Sequence, residues 1–319
     1  MRGRTVDEYR APLFLAWQLT NRCGARCITC CEESGPDKAW AHELGRNEAV
    51  DLARKIAASG IAYVAFGGGE PLDVPFCWEV FETLARADVA IKLETDGSRI
   101  DDAAADRLAD LAVQCIQISV DGATAKTHDR VRPGSSFAAA ISAIERLAAR
   151  GRVPQFVFVP TRFNLHEIVA AFDLAATLGC GAFVTGPLMR IGRAAMGWHS
   201  IACSDEDWQR AVAALRERAA STGTGMTLSI YPWDIITEME TRLDRPQAML
   251  LVVPNGKVKL LNALPFAPAD LRRDSLEEAW RAYRDAWRSP EVRDFVTSCR
   301  SNPALLSHAN ETWVMDVRR

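Results

Sequence analysis

The sequence predicts an α/β protein: a parallel sheet wrapped by helices, either an open sheet or a full or partial barrel, with a small α+β appendage behind it. Three observations predict this. Apolar, strand-like runs alternate with amphipathic, helix-like runs six times within about 190 residues. The strands are apolar, of the kind buried on both faces. Five strand ends carry cysteine or glycine punctuation, and in parallel α/β folds the ligand site lies at those C-terminal ends.

"LFLAWQLT" (13–20) reads as the first strand and "NEAVDLARKIAAS" (47–59) as a helix with Ala, Leu and Ile on one face. The strand "AYVAFGG" is followed by the helix "CWEVFETLARA", "AIKLETDG" by "DDAAADRLADLA", and "CIQISVDG" by "SFAAAISAIERLAAR". "QFVFVPT" and "LHEIVAAFDLAATLG" make the fifth pair, and "GAFVTGP" is the sixth strand. A helix near 205–220 and the strand "MTLSIYPWD" come next. "AMLLVVPNGKVKLL" predicts a hairpin turning at Asn255 and Gly256. "DSLEEAWRAYRDAW" (274–287) opens with a capping-box pattern at Asp274 or Ser275 and continues as an amphipathic helix. The domains expected are a core over 1–234 and an appendage over 235–319.

Composition excludes several classes. The 319 residues are 48% hydrophobic and 25% charged, as in globular proteins, and 38 Lys and Arg against 41 Asp and Glu leave no surplus to neutralise phosphates. Nucleic acid is therefore not an expected partner. No apolar run reaches the roughly 20 residues of a membrane span, and "MRGRTVDEYRAP" lacks the apolar core of a signal peptide. The expectation is a cytoplasmic protein whose nine cysteines stay reduced, so a close cysteine cluster implies metal or chemistry rather than disulfides.

"TNRCGARCITCC" (20–31) is that cluster: Cys23, Cys27 and Cys30 read as C-x3-C-x2-C, with Cys31 a competing last ligand. Three thiolates on one loop suit an iron-sulfur cubane with one iron left open. Zinc would want a fourth ligand nearby, and the loop holds no histidine.

"CGARCITC" after one strand and "GGEP" after the next resemble the radical S-adenosylmethionine (SAM) superfamily, and "SVDGATAKTHDRVR" (119–132) and "GPLMRIGRA" (186–194) extend the resemblance. It implies a partial (β/α)6 TIM-type barrel. It also implies one 4Fe-4S cluster held by Cys23, Cys27 and Cys30, with Cys31 set aside, and SAM chelating the open iron through its amino and carboxylate groups. On the same grounds Gly68, Gly69, Glu70 and Pro71 would hold the SAM amino group. Ser119 and Asp121 would give it polar contacts, Arg132 would reach its carboxylate, Thr95 and Asp96 would meet ribose or substrate, and the backbone of Met189–Ile191 would border the adenine. Gly24 and Thr29 depart from the family's usual Asn and aromatic residue.

"LLVVPNGKVKLLNALPFAPADLRRDSLEEAW" resembles the twitch or SPASM appendage of the relatives of anaerobic sulfatase-maturating enzymes, which carries auxiliary clusters. Here Leu260 and Leu261 stand where a cysteine is expected, and beyond residue 180 only Cys203 and Cys299 occur. The resemblance thus implies a degenerate appendage without metal, and a redox-neutral outcome such as decarboxylation (as in cytosylglucuronate decarboxylase), epimerisation, elimination or rearrangement. The expected substrate is a small polar metabolite: a sugar, nucleoside or amino-acid derivative. The lead of about a dozen residues before the first strand is read as too short for a fused peptide-recognition domain. The electron donor expected is a flavodoxin or ferredoxin. The alternatives are a maturase acting on a ribosomally made peptide and, outside enzymes, an iron-sulfur scaffold or electron carrier.

No catalytic acid or base is assigned. Cys77, Cys115 and Cys180 are expected in the core, and His128 and His166 as surface or capping groups. Arg162, Arg190, Tyr231 and Trp233 lie near strand ends, where packing competes with a pocket-lining role.

Overall fold

The computed structural model describes residues 5–315, so the first four residues of the stretch read for a targeting signal lie outside the described residues. In chain order the elements are β1 (Phe14–Thr20), α1 (Arg46–Ala57), β2 (Tyr63–Gly68), α2 (Cys77–Ala85), β3 (Ala90–Thr95), α3 (Asp102–Asp110), β4 (Cys115–Ser119), α4 (Ala125–Val131), α5 (Phe137–Ala149), β5 (Gln155–Phe158), α6 (Ile168–Thr177) and β6 (Ala182–Thr185). Then come α7 (Gly192–Met196), α8 (Trp198–Ile201), α9 (Asp205–Thr222), β7 (Thr227–Ile230), α10 (Ile235–Asp244), β8 (Met249–Val252), β9 (Lys257–Lys259), β10 (Phe266–Ala267), β11 (Ala269–Asp270), α11 (Leu276–Trp287), α12 (Pro290–Ser301) and β12 (Trp313–Val314). The predicted alternation is all present. The sequence does not lead one to expect α4, α7, α8, α10 or α12; α4, α7 and α8 are only 7, 5 and 4 residues long, whereas α10 and α12 are full helices of 10 and 12.

The chain forms two compact units. The first takes residues up to 23, 31–92 and from 235 onward, and the second takes 24–30 and 93–234. In the first, the strand order runs β11-β9-β8-β1-β2 to the start of β3. β1 is parallel to both β2 and β8, whereas β8 and β9 form the predicted antiparallel hairpin. Its core stacks Trp17, Phe66 and Phe81 from β1, β2 and α2, with ring centroids 5.6 and 4.7 Å apart. Tyr283 lies between Trp280 and Trp287, and all three are buried on one face of α11. The α11 N-terminus is fixed by Ser275, whose hydroxyl accepts from the Glu278 N–H while Glu278 accepts from the Ser275 N–H. That resolves the choice between Asp274 and Ser275 as cap.

In the second unit, β4, β5, β6 and β7 are parallel neighbours in sequence order after the end of β3. Phe156, Phe158 and Phe172 surround Phe183 at 5.5 to 6.0 Å, which makes the interior of this unit aromatic. Asp101, Ser136 and Ser204 cap α3, α5 and α9 by accepting from a first-turn N–H. The architecture is α/β with a parallel sheet, and its C-terminal strand ends carry the cysteine, "GGEP", "TDG" and "VDG" segments.

Candidate functional site

In the first unit, Thr20–Arg22 and Gly68–Glu70 run side by side. The Gly69 N–H donates to Thr20 O at 2.7 Å and the Glu70 N–H to Arg22 O at 2.9 Å. The glycines are set by this contact. A Cβ on Gly69 would sit 1.9 Å from Arg22 O, and Gly68 adopts φ +100° with its Cβ position 2.7 Å from Thr20 O. They are therefore needed by the chain's own packing. Glu70 is buried, and its Oε1 accepts from the Leu72 N–H, capping the turn that begins at Pro71. Cys23 donates its N–H to Gly35 O, and Arg22 bridges to Gly35, which closes the base of the cysteine segment. Glu43 gathers the Thr20 hydroxyl and the Asn21 and Trp40 N–H groups on one carboxylate, a role the sequence reading did not find.

In the second unit, Gly24–Cys30 lies against two other segments. Arg26 and Ile28 donate their N–H groups to Pro133 O and Val131 O, at 2.6 and 3.0 Å. From the sixth-strand segment, Arg193 donates through Nη1 to Cys27 O at 2.6 Å and through its N–H to Cys30 O at 2.9 Å. Arg193 lies in "GPLMRIGRA", yet nothing local marks an arginine whose partner lies 166 residues away.

Asp121 and Arg132 come together, but as a pair. Asp121 is fully buried; its Oδ2 accepts from Arg132 Nη1 at 3.1 Å and its Oδ1 from the Val159 N–H at 2.7 Å. Burial alone would favour deprotonating Arg132, but the Asp121 and Asp96 carboxylates hold it as a cation. Its Nε is buried without a hydrogen-bond partner. Burial raises the Cys27 thiol above its ordinary range, opposed by Arg132 and Arg193 and reinforced by Asp121 and Asp96.

Thr95 Oγ1 accepts from the Gly97 N–H and Asp96 Oδ1 from the Ser98 N–H, so both shape the turn after β3. Ser119 is half-buried at the end of β4. His128 corrects its expectation. It is fully buried in α4, its Nδ1 accepts from the Asp121 N–H at 3.2 Å, and burial followed by Arg132 lowers its pKa. His166 is exposed, as expected. Arg190 lies over the Trp198 ring, and Tyr231 packs edge-on to Trp233. Cys77 and Cys180 are core residues, whereas Cys115 is only half-buried.

A cluster and SAM suit these residues on two grounds. None of Cys23, Cys27 and Cys30 is in a disulfide, so all three thiols form a soft donor set. A buried cation with an uncommitted donor, Arg132, bears electrostatically on Cys27. Among the described residues, no three His, Cys, Asp or Glu side chains stand in ligand geometry, so the assignment rests on donor chemistry and spacing. No helix among the described residues is long and apolar enough to cross a membrane.

Residues 17–175 match the family model of the radical SAM superfamily. The mycofactocin maturase MftC of Mycobacterium ulcerans is 36% identical over 203 residues, 62% of this chain and 54% of that protein. The chain thus spans about half the length of that relative. The AdoMet-dependent heme synthase of Oleidesulfovibrio alaskensis is 28% identical over 318 residues, 91% of this chain and 81% of that one. Among solved structures, Streptococcus suis SuiB bound to precursor peptide SuiA superposes with a TM-score of 0.73 at 13% identity, over 88% of this chain and 67% of that one, which shows the same fold. The chain therefore belongs to the radical SAM superfamily, whose members use a 4Fe-4S cluster and S-adenosylmethionine.

Proposed function

We propose that the protein is a radical SAM enzyme acting as a maturase on a peptide, with Cys23, Cys27 and Cys30 as cluster ligands and Cys31 outside the set. The observation that carries the enzyme reading is the pairing of Thr20–Arg22 with Gly68–Glu70, which sets the entry to the cysteine segment beside the "GGEP" turn. The maturase reading draws on the relative MftC, named a maturase, and on SuiB, described with its precursor peptide. It displaces the small polar metabolite expected from the sequence. The heme synthase, which aligns over 91% of this chain, favours a small-molecule substrate as a second reading.

A cluster held by Cys23, Cys27 and Cys30 would supply the one-electron chemistry that cleaves SAM and so opens the way to hydrogen abstraction from the substrate. The chain's own part is binding and positioning. Arg132, braced by Asp121, offers its buried cation to a carboxylate. Glu70 presents a buried carboxylate suited to an ammonium. Ser119 and Thr95 stand at the ends of β4 and β3 as further polar groups, and residues 235–319 serve as a cysteine-poor appendage.

Anaerobic reconstitution tests this reading. The protein should bind about four irons and, with a strong reductant and SAM, form 5'-deoxyadenosine. Cys23→Ala, Cys27→Ala and Cys30→Ala should each abolish that product, and Cys31→Ala should retain it. Co-expression with a candidate precursor peptide should change the peptide's mass only when the three cysteines are intact. Absence of 5'-deoxyadenosine sinks the enzyme reading, while its formation with an unaltered peptide favours the small-molecule reading.

A further inference from the structure

Lys259, on β9, is 2% exposed, and nothing in the proposed chemistry uses it. Its Nζ donates to Ala309 O and, at 3.4 Å, to Asn262 O. The two segments it ties together each reach the peptide just after the cysteines. Asn262 Nδ2 donates to Glu32 Oε1 at 3.0 Å, where Gln18 at the end of β1 also donates. Asn310, next to Ala309, donates through Nδ2 to Cys31 O at 2.9 Å and to Glu33 Oε1 at 3.0 Å.

What they hold is strained. Glu33 sits at φ +56°, a left-handed conformation that a non-glycine residue keeps only when its surroundings fix it. Two residues on, Gly35 receives the Cys23 N–H. Burial lowers the Lys259 amine to about 7, with Glu32 and Glu311 opposing. An amine that costly to bury needs a reason, and the two carbonyls supply the structural one.

We propose that Lys259 and Asn310 form a strut through which the C-terminal segment fixes Cys31–Glu33 and thereby the environment of the cluster. The degenerate appendage, on this view, has kept a positioning task that needs no metal of its own. The inference rests on the ligand reading above. Lys259 is a positioning residue, since it acts through Asn310 and Asn262.

Lys259→Met and Asn310→Leu remove the donors at similar volume. Hydrogen exchange of amides 31–35 in cluster-free protein should accelerate about tenfold in each variant, the equivalent of one net hydrogen bond. The double variant should go little further, because the two side chains act in series. In reconstituted protein, iron content should stay at about four while the EPR line shape of the reduced cluster and its change on adding SAM both alter. Unchanged exchange and spectra in both single variants would overturn the strut. If Lys259→Met does not fold, Asn310→Leu decides alone by the same measurements. If the unmutated protein takes up no iron, the ligand reading fails, and exchange at 31–35 still decides whether the strut exists.

Discussion

Arg193 holds Cys27 from across the second unit: its guanidinium donates to the Cys27 carbonyl at 2.6 Å, and its own N–H donates to Cys30 O. A charge-assisted bond to a carbonyl is worth about 1.5–3 kcal/mol when lost. Arg193→Ala should therefore destabilise the cluster-free protein by that amount in urea unfolding and cut 5'-deoxyadenosine formation at least tenfold, about 1.4 kcal/mol. Arg193→Lys should recover part of the stability through a single donor. Equal stability for all three proteins would remove Arg193 from the support of the cysteine loop.

The glycines of the loop and of the second strand end should separate cleanly. Gly69→Ala places a Cβ 1.9 Å from Arg22 O, a backbone atom that cannot swing aside, so soluble protein should fall sharply. Gly24 is exposed, with nothing within 4 Å of its Cβ position, and Gly24→Ala should leave the unfolding free energy in urea within about 0.5 kcal/mol of unchanged. A tolerated Gly69→Ala would mean that the Thr20–Arg22 pairing can be given up.

Asp121 should prove to be a brace. Asp121→Ala strands the buried Arg132 cation and the Val159 N–H, a loss of about 3–5 kcal/mol in denaturant unfolding. Asp121→Asn keeps an acceptor for Val159 and should cost less while still weakening SAM binding, read by isothermal titration. If Asp121→Ala is tolerated within about 1 kcal/mol, the pair is not a structural unit.

Lys259 predicts a pH dependence whose sign follows from linkage. The amine loses its proton near 7 when folded but near 10.5 when unfolded. Between those values the unfolded state binds more protons, so this group adds stability as pH rises and withdraws it as pH falls towards 7. Burial pushes the Cys299 and Cys180 thiols up to about 11 and about 12, which works in the opposite sense above pH 9. The clean window is therefore about pH 7 to 8.5. There, the melting temperature of the unmutated protein should rise relative to Lys259→Met; parallel curves would show that Lys259 titrates normally.

Much was legible in the chain because the determinants were local. Apolar runs and period-3.6 runs placed the six strand and helix alternations, and the hairpin and the α11 cap followed from turn and cap chemistry within a few residues. The cysteine spacing and "GGEP" pointed to the superfamily without any geometry. The tertiary structure decided what depends on distant partners. It made Gly68 and Gly69 a packing necessity, buried His128 beneath Asp121, paired Asp121 with Arg132, brought Arg193 to Cys27, and set Lys259 behind Cys31–Glu33. A hydrogen bond or ion pair between residues far apart leaves no period in the sequence, because only the fold brings the two groups within reach of each other.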